Sequence, residues 1–335
     1  MSGTVVVTGA AGFIGSNLSA ALLEGGYQVR GLDNFSQGSE LNVQALLSHP
    51  RFTLHRADVR DERAVLDICA GATAIVHLAA FKIPRYSDAL DTLTINTAGS
   101  MNVCAAAARH GAKVVAASTS DVYGKNPSLP FNEESNLVIG SPHVRRWAYA
   151  ISKMYVEQLL FAMHERSGID VVVLRFFGGY GPHQHLSWWG GPQAVFIDRA
   201  LDNLPCDLHG DGQQTRSFTY VSDHVDGIIR AIENPSANNE VFNIGSTREI
   251  TIEALARMIW RFVRGEEEPK LTRVPYESFG RYEDISRRVP DISRAGTILG
   301  FAPRVDLETG LKETIRWQVE RRRQLGIPTA EVAGL

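Results

Sequence analysis

A doubly wound α/β fold on a parallel sheet, with a smaller α/β substrate-binding lobe towards the carboxyl end, is what this sequence predicts. Three observations carry that reading. Short β-branched runs alternate with amphipathic stretches through the first half, a glycine-spaced loop follows the first of these runs, and Gly and Pro clusters break the pattern after Arg175. At 335 residues the chain exceeds one typical domain and can bury a large core. We expect a Rossmann domain over residues 1–177, a second lobe over 178–323 from which some chain crosses back, and a tail over 324–335.

The elements follow in order. Strands are expected at 4–8, 28–32, 52–55, 74–78, 113–117 and 171–175, each a short apolar run of the kind that a sheet covered on both faces requires. Helices are expected between them at 14–24, 62–69, 92–110 and 147–166, the last two being the longest. Gly178 to Pro182, Gly190 to Pro192 and Gly210 to Gly212 are punctuation, read as loops that cover a site at the carboxyl ends of the strands. Later helices are expected at 222–233, 252–263 and 307–323, and the tail from Leu325 reads as weakly structured.

Composition narrows the function. The 34 basic and 37 acidic residues give a net charge of −3 with no sustained run of one sign, which argues against a nucleic-acid or membrane-surface partner and for a small soluble ligand. Val5 to Val7 is too short for a signal or a membrane span, so a cytoplasmic location is expected. Cys69, Cys104 and Cys206 lie far apart without a CxxC and read as reduced packing residues. His183 and His185 are joined by no carboxylate or Cys at ligand spacing, so no metal is expected.

The run Thr8-Gly9-Ala10-Ala11-Gly12-Phe13-Ile14-Gly15 follows a strand and opens a helix. Glycines spaced so let backbone N–H groups approach a pyrophosphate at the helix N-terminus. Asp33, with Asn34 after it, ends the next strand at about the offset expected of a carboxylate that binds a ribose 2′-hydroxyl. That acid would repel a 2′-phosphate, so NAD is expected rather than NADP. Asp58 and Val59 after the third strand are expected near the adenine, and Leu78-Ala79-Ala80 gives a small-residue strand end beside the cofactor.

Tyr149 and Lys153 stand at i and i+4 near the start of a helix, on one face. A lysine ammonium and a nicotinamide charge nearby would favour phenolate, letting Tyr149 take the proton of a sugar hydroxyl. Ser118-Thr119-Ser120-Asp121 ends the strand beside that helix, and Thr119 is expected to hydrogen-bond the same hydroxyl. Trp188 and Trp189, in a glycine-rich loop, are read as lining a ligand pocket, a base or a sugar if the resemblance given next holds, with core packing the alternative for one of them.

Together these residues resemble the extended short-chain dehydrogenase/reductase family of nucleotide-sugar epimerases, dehydratases and decarboxylases. The likeness runs from Val5 to about Arg323 through TGAAGFIG, Asn96 with Gly99, STSDVYG from Ser118, YAISK at Tyr149, RFFGGYGP, GDGQQTRSFTYVSD and FNIGS. It implies NAD retained through the cycle, oxidation of a C4 hydroxyl to a 4-keto sugar, a nucleoside diphosphate held by the second lobe, and a homodimer formed by the two long helices. It also implies that Arg216 and Arg281 clamp the diphosphate, as suits a planar, always-charged guanidinium.

Within the resemblance the pair after Thr119 selects the product. Ser120 in place of an acid disfavours 4,6-dehydration, and Asp121 is a shortened form of the glutamate of the decarboxylases. Arg288 before Val289-Pro290-Asp291 resembles the decarboxylases, whereas Lys82 after Ala79-Ala80-Phe81 is similar to the cofactor-side lysine of galactose epimerases. Gly178 and His183 depart from the Asn and Arg of most relatives. A nucleotide-sugar 4-epimerase is the first expectation, a UDP-glucuronate decarboxylase the alternative, and a non-catalytic NAD-binding sensor the third.

Overall fold

The computed structural model of the chain describes residues 3–82, 88–329 and 332. The first half runs β1 (Thr4–Thr8), α1 (Phe13–Glu24), β2 (Gln28–Asp33), α2 (Glu40–Val43), β3 (Phe52–Arg56), α3 (Glu62–Ile68), β4 (Ala74–His77), α4 (Ala89–His110), β5 (Lys113–Thr119), α5 (Trp147–Ser167) and β6 (Val171–Phe176). Each strand and helix expected there is present, its ends displaced by three residues at most. The second half runs β7 (Gly179–Tyr180), α6 (Pro192–Leu201), β8 (Cys206–His209), β9 (Thr215–Ser217), β10 (Thr219–Tyr220), α7 (Val221–Glu233), β11 (Glu240–Ile244), β12 (Glu249–Thr251), α8 (Ile252–Arg264), β13 (Leu271–Val274), β14 (Arg287–Arg288) and α9 (Leu307–Gln324).

Seven strands form one parallel sheet in the order β11-β6-β5-β4-β1-β2-β3. Alternate residues of the central strands enter different cores, which is why those runs are largely apolar. Val5 and Val7 face Leu18 and Leu22 of α1 and Val225 and Ile228 of α7. Val6 faces the other way, towards Val65 of α3, Val103 of α4 and Val156 of α5. The order in which strands are added reverses between β1 and β4, and the crevice outside the carboxyl ends of the strands at such a switch point is where this architecture takes a ligand.

A third core lies beside the sheet, where α6, α8 and α9 bury Phe196, Ile197, Leu255, Ile259, Trp260, Leu311 and Ile315. Between its segments the chain returns to the sheet through α7 and β11. The sequence reading named neither α2 nor α6 nor any strand after β6, and two of these elements show why. β11 is short and carries Asn243 at its centre, a polar residue made tolerable by hydrogen bonds to the Phe131 and Asp291 carbonyls and from the Tyr123 hydroxyl. α6 begins at Pro192, inside a Gly-Pro cluster read as a loop, because proline suits the first turn of a helix, where its missing N–H has no partner to lose. The expected weak tail falls partly on residues 330, 331 and 333–335, outside the described ones. All three cysteines are free and buried. Among the described residues no helix is long and apolar enough to cross a membrane.

Candidate active site

The site begins where β1 turns into α1. Gly9 has a φ of +73°, and a Cβ there would come within 2.9 Å of the Ala79 nitrogen, while one on Gly15 would strike the Gly9 carbonyl. The turn therefore packs backbone against backbone and leaves the first N–H groups of α1 without side-chain capping. Asp33, buried at the end of β2, holds the same turn: one carboxylate oxygen accepts from the Ala11 N–H and the other from the Phe35 N–H, both at 2.8 Å. Its burial raises its pKa despite those two donors.

Above this turn opens a cavity of about 730 Å³. Gly9, Gly12, Phe13, Ile14, Asp33, Asn34, Val59, Leu78, Ala79, Ala80 and Lys82 all line it, with Ser118, Thr119, Ser120, Asp121, Tyr149 and Lys153 at its far end. Gly15, Asp58 and Asn96, counted with the others as cofactor neighbours, do not line it, Gly15 being packed under the turn. Asp58 is turned aside by Arg60, at 2.9 and 2.8 Å, and by Asn34, and is absent from the cavity wall. Asn96 is buried behind the wall, where it clamps Phe81 through both backbone groups and donates to Ser152 at 2.9 Å, tying the end of the Leu78–Phe81 segment to the Tyr149 helix. Ser118 lines the cavity, but its hydroxyl donates to Glu157, which in turn holds Arg175 at 2.7 Å in a buried pair.

At the far end β5 delivers Thr119 and α5 delivers Tyr149 and Lys153. The expected lowering of the Tyr149 pKa does not occur in the protein alone. Burial raises it, the Asp121 charge adds to the rise, and a hydrogen bond with Thr119 opposes both. Lys153 is almost fully buried and donates to the Ala117 carbonyl at 2.8 Å. Desolvation pulls its pKa down to about 8, against the attraction of Glu157. The unfolded chain, with Lys153 near 10.5, therefore binds more protons than the folded one between those two values, so this residue makes stability rise with pH there. Wild type minus Lys153→Met, compared by urea unfolding across pH 8 to 10.5, should show that rise; a flat difference would refute it.

A second cavity of about 300 Å³ shares Lys82, Ser120, Asp121, Tyr149, Gly178, Trp188 and Arg288 with the first and adds Arg146, Arg216 and Asp284. Parallel pairing of β14 with β9 sets Arg288 opposite Arg216. Arg288 then reaches Asp121 at 2.6 Å and the Ser120 hydroxyl at 3.3 Å, and Arg146, just before α5, reaches Asp121 at 3.3 Å and Asp284 at 3.2 Å. Arg216 completes the chain on Asp284 at 3.1 Å. Despite burial, Asp121 is held below the usual carboxylate range by Arg288, Arg146 and Arg216. Arg216 moves the other way, to about 10, through burial and the like charge of Arg288. Lys82 is open to cavity water, yet the protein enclosing it lowers its pKa to about 8.

Arg281 corrects an expectation: it is exposed, lines neither cavity, and Arg146 occupies the charged floor instead. Trp188 stacks on His209 at 4.5 Å and Trp189 meets Phe81 edge-on at 5.0 Å, both on the cavity wall. Gly178, with φ +43°, has no room for a side chain, because a Cβ would meet the Ser217 carbonyl. His183 lines the first cavity and bonds Ser16 at 2.9 Å, and His185 bonds Ser187. Asp284 and the α9 residues Trp317 and Arg321 also line these cavities and were missed in the sequence, since nothing local marks residues that only folding brings there.

The profile of the NAD dependent epimerase/dehydratase family matches residues 5–245. UDP-N-acetyl-alpha-D-glucosaminuronate decarboxylase of Bacillus cytotoxicus is 34% identical over 316 residues, 93% of this chain and 96% of that protein. UDP-glucuronic acid decarboxylase 1 of Xenopus tropicalis is 35% identical over 93% of this chain and 71% of its own length. Among solved structures, the UDP-glucuronic acid 4-epimerase of Bacillus cereus, in complex with UDP-glucuronic acid and NAD, superposes with a TM-score of 0.84 at 28% identity, covering 96% of this chain and 99% of that one.

Proposed function

The chain belongs to the NAD dependent epimerase/dehydratase family, and from that premise we propose that it decarboxylates a UDP-linked uronic acid. The cradle in which Gly9 and Gly15 leave no space for a Cβ suits a dinucleotide, with α1's first N–H groups and Asp33 as the residues that would hold it and Lys153 beside its far end. Bound NAD supplies the oxidant for the sugar's C4 carbon and returns the reducing equivalent afterwards.

The rest is the work of side chains. Thr119 and Tyr149 hold the C4 hydroxyl, and Tyr149 removes its proton, relayed past the Lys153 ammonium. Oxidation at C4 places a ketone β to the uronate carboxylate, so the C5–C6 bond can break to release carbon dioxide and leave its electrons in a C4–C5 enolate; a proton from solvent then fills C5, and Tyr149 gives its proton back to the C4 oxygen as the restored ketone is reduced. The observation that carries this reading over simple epimerisation is the charge count at the cavity floor. Three guanidinium groups, Arg146, Arg216 and Arg288, share two carboxylates, Asp121 and Asp284. The Nε of Arg288 has no partner, which leaves a donor for an incoming carboxylate. An ionised Asp121 serves to orient Arg288, a task its short arm can perform without delivering a proton.

The sequence puts a 4-epimerase first, and the Bacillus cereus neighbour keeps that as the second reading. It leaves the Asp121–Arg288 pair with binding alone to do. The two readings separate when the purified protein is given UDP-glucuronate in heavy water. Decarboxylation yields a product lighter by carbon dioxide and carrying one deuterium at C5; an isobaric product without deuterium would overturn it. Leu90, Met101, Ile151 and Tyr155 lie exposed on α4 and α5, and this supports the homodimer we propose along those helices.

A further inference from the structure

We infer that α9 closes the dinucleotide cavity with a phosphate-binding arginine: Arg321, near the carboxyl end of the chain, pairs with the pyrophosphate of bound NAD. The inference rests on the NAD reading and adds a binding residue that neither the glycine loop nor the Tyr149 helix supplies.

Arg321 is 7% exposed and lines the first cavity together with Trp317 and Asn42. Its Nη2 donates to the Asn42 amide oxygen at 2.9 Å and its guanidinium lies 5.1 Å from the Trp317 ring centre. Its Nε has no hydrogen-bond partner, and no carboxylate forms an ion pair with it among the described residues. Other buried arginines of this chain are treated differently. Arg175 has Glu157, and the adjacent Arg322 has Asp198 at 3.0 Å and Asp202 at 2.5 Å. A buried cation without a counter-charge is costly, so the missing anion is expected to arrive with a ligand. Burial alone lowers the pKa of this guanidinium, with no acid opposing it.

Its place selects which anion. Asn42, which holds Arg321, donates to the Ala11 carbonyl in the glycine turn at 3.0 Å and to the His183 carbonyl at 3.3 Å. His183 in turn bonds Ser16 in the first turns of α1 at 2.9 Å. Arg321 is thus two hydrogen bonds from the turn whose N–H groups face a pyrophosphate, and α1 has no acidic residue in its first turn to compete. A 2′-phosphate is the poorer candidate, because buried Asp33 would face it. The other face of α9 is built into the third core through Leu311, Ile315 and Val319, so the contact also ties that lobe to the glycine turn.

Calorimetric titration of wild type, Arg321→Gln and Arg321→Lys with NAD+, ADP-ribose, NADP+ and adenosine tests this. Arg321→Gln should weaken NAD+ and ADP-ribose by about 10- to 100-fold, the range of a charge-assisted hydrogen-bonded contact, and leave adenosine unchanged. Arg321→Lys, which keeps the charge, should recover part of the loss, separating phosphate pairing from damage to packing. Equal weakening of adenosine, a loss confined to NADP+, or unchanged NAD+ affinity would each overturn the inference. A wild-type protein that binds no NAD+ at all would instead overturn the cofactor reading beneath it.

Discussion

Tyr149→Phe will lower kcat on a UDP-linked uronate by about 10³-fold while leaving the affinities for NAD+ and UDP within about twofold, because a positioned general base contributes roughly 10²- to 10⁴-fold. Tyr149 lies between the two cavities, with Thr119 as its hydrogen-bond partner and the Asp121 charge close by. Burial and the Asp121 charge leave it protonated in the free protein against the opposing pull of Thr119, and neither neighbour replaces it. The Thr119 hydroxyl is far too weak a base, and Asp121 is committed to Arg288 and Arg146. Lys153 cannot take over either, since its ammonium donates to the Ala117 carbonyl. Steady-state kinetics with parallel titrations of both ligands would check the split. A variant that kept its kcat would remove Tyr149 from the chemistry.

How far the sequence revealed this site depends on whether a residue's partners are local. Gly9, Gly15 and Asp33 were legible because a strand, a turn and a helix in one continuous stretch set their geometry. Tyr149 and Lys153 were legible because helical periodicity puts i and i+4 on one face. Asp58 and Asn96 were expected beside the cofactor, yet their side chains serve Arg60 and the Phe81 segment, a distinction that only side-chain direction makes. Arg281 stands away from the cavities, and Arg146 lines one, for a similar reason. A loop arginine's reach cannot be read from its position in the chain, whereas one just before α5 is aimed by the helix that follows. β11 was missed because its apolar pattern is interrupted by Asn243, whose partners lie in three separate segments.

Arg288→Gln should reduce kcat/KM on UDP-glucuronate by about 10²- to 10³-fold, roughly 3 to 4 kcal/mol, the cost of truncating one member of a partly buried, hydrogen-bonded charge pair that also meets the substrate. UDP alone should bind almost as before, because Arg216 and Arg146 remain on Asp284. Arg288→Lys should recover little: an ammonium can meet Asp121 but cannot offer a second, planar donor to a carboxylate. The pair also predicts how losses combine. Asp121→Asn frees Arg288 from its 2.6 Å contact and so misplaces the same guanidinium that Arg288→Gln removes. The double variant should therefore be about as impaired as the worse single one, a departure from additivity expected of residues acting as a unit. Losses that simply summed would mean that Asp121 meets the substrate directly, and the product-determining role assigned to Arg288 would have to pass to the carboxylate.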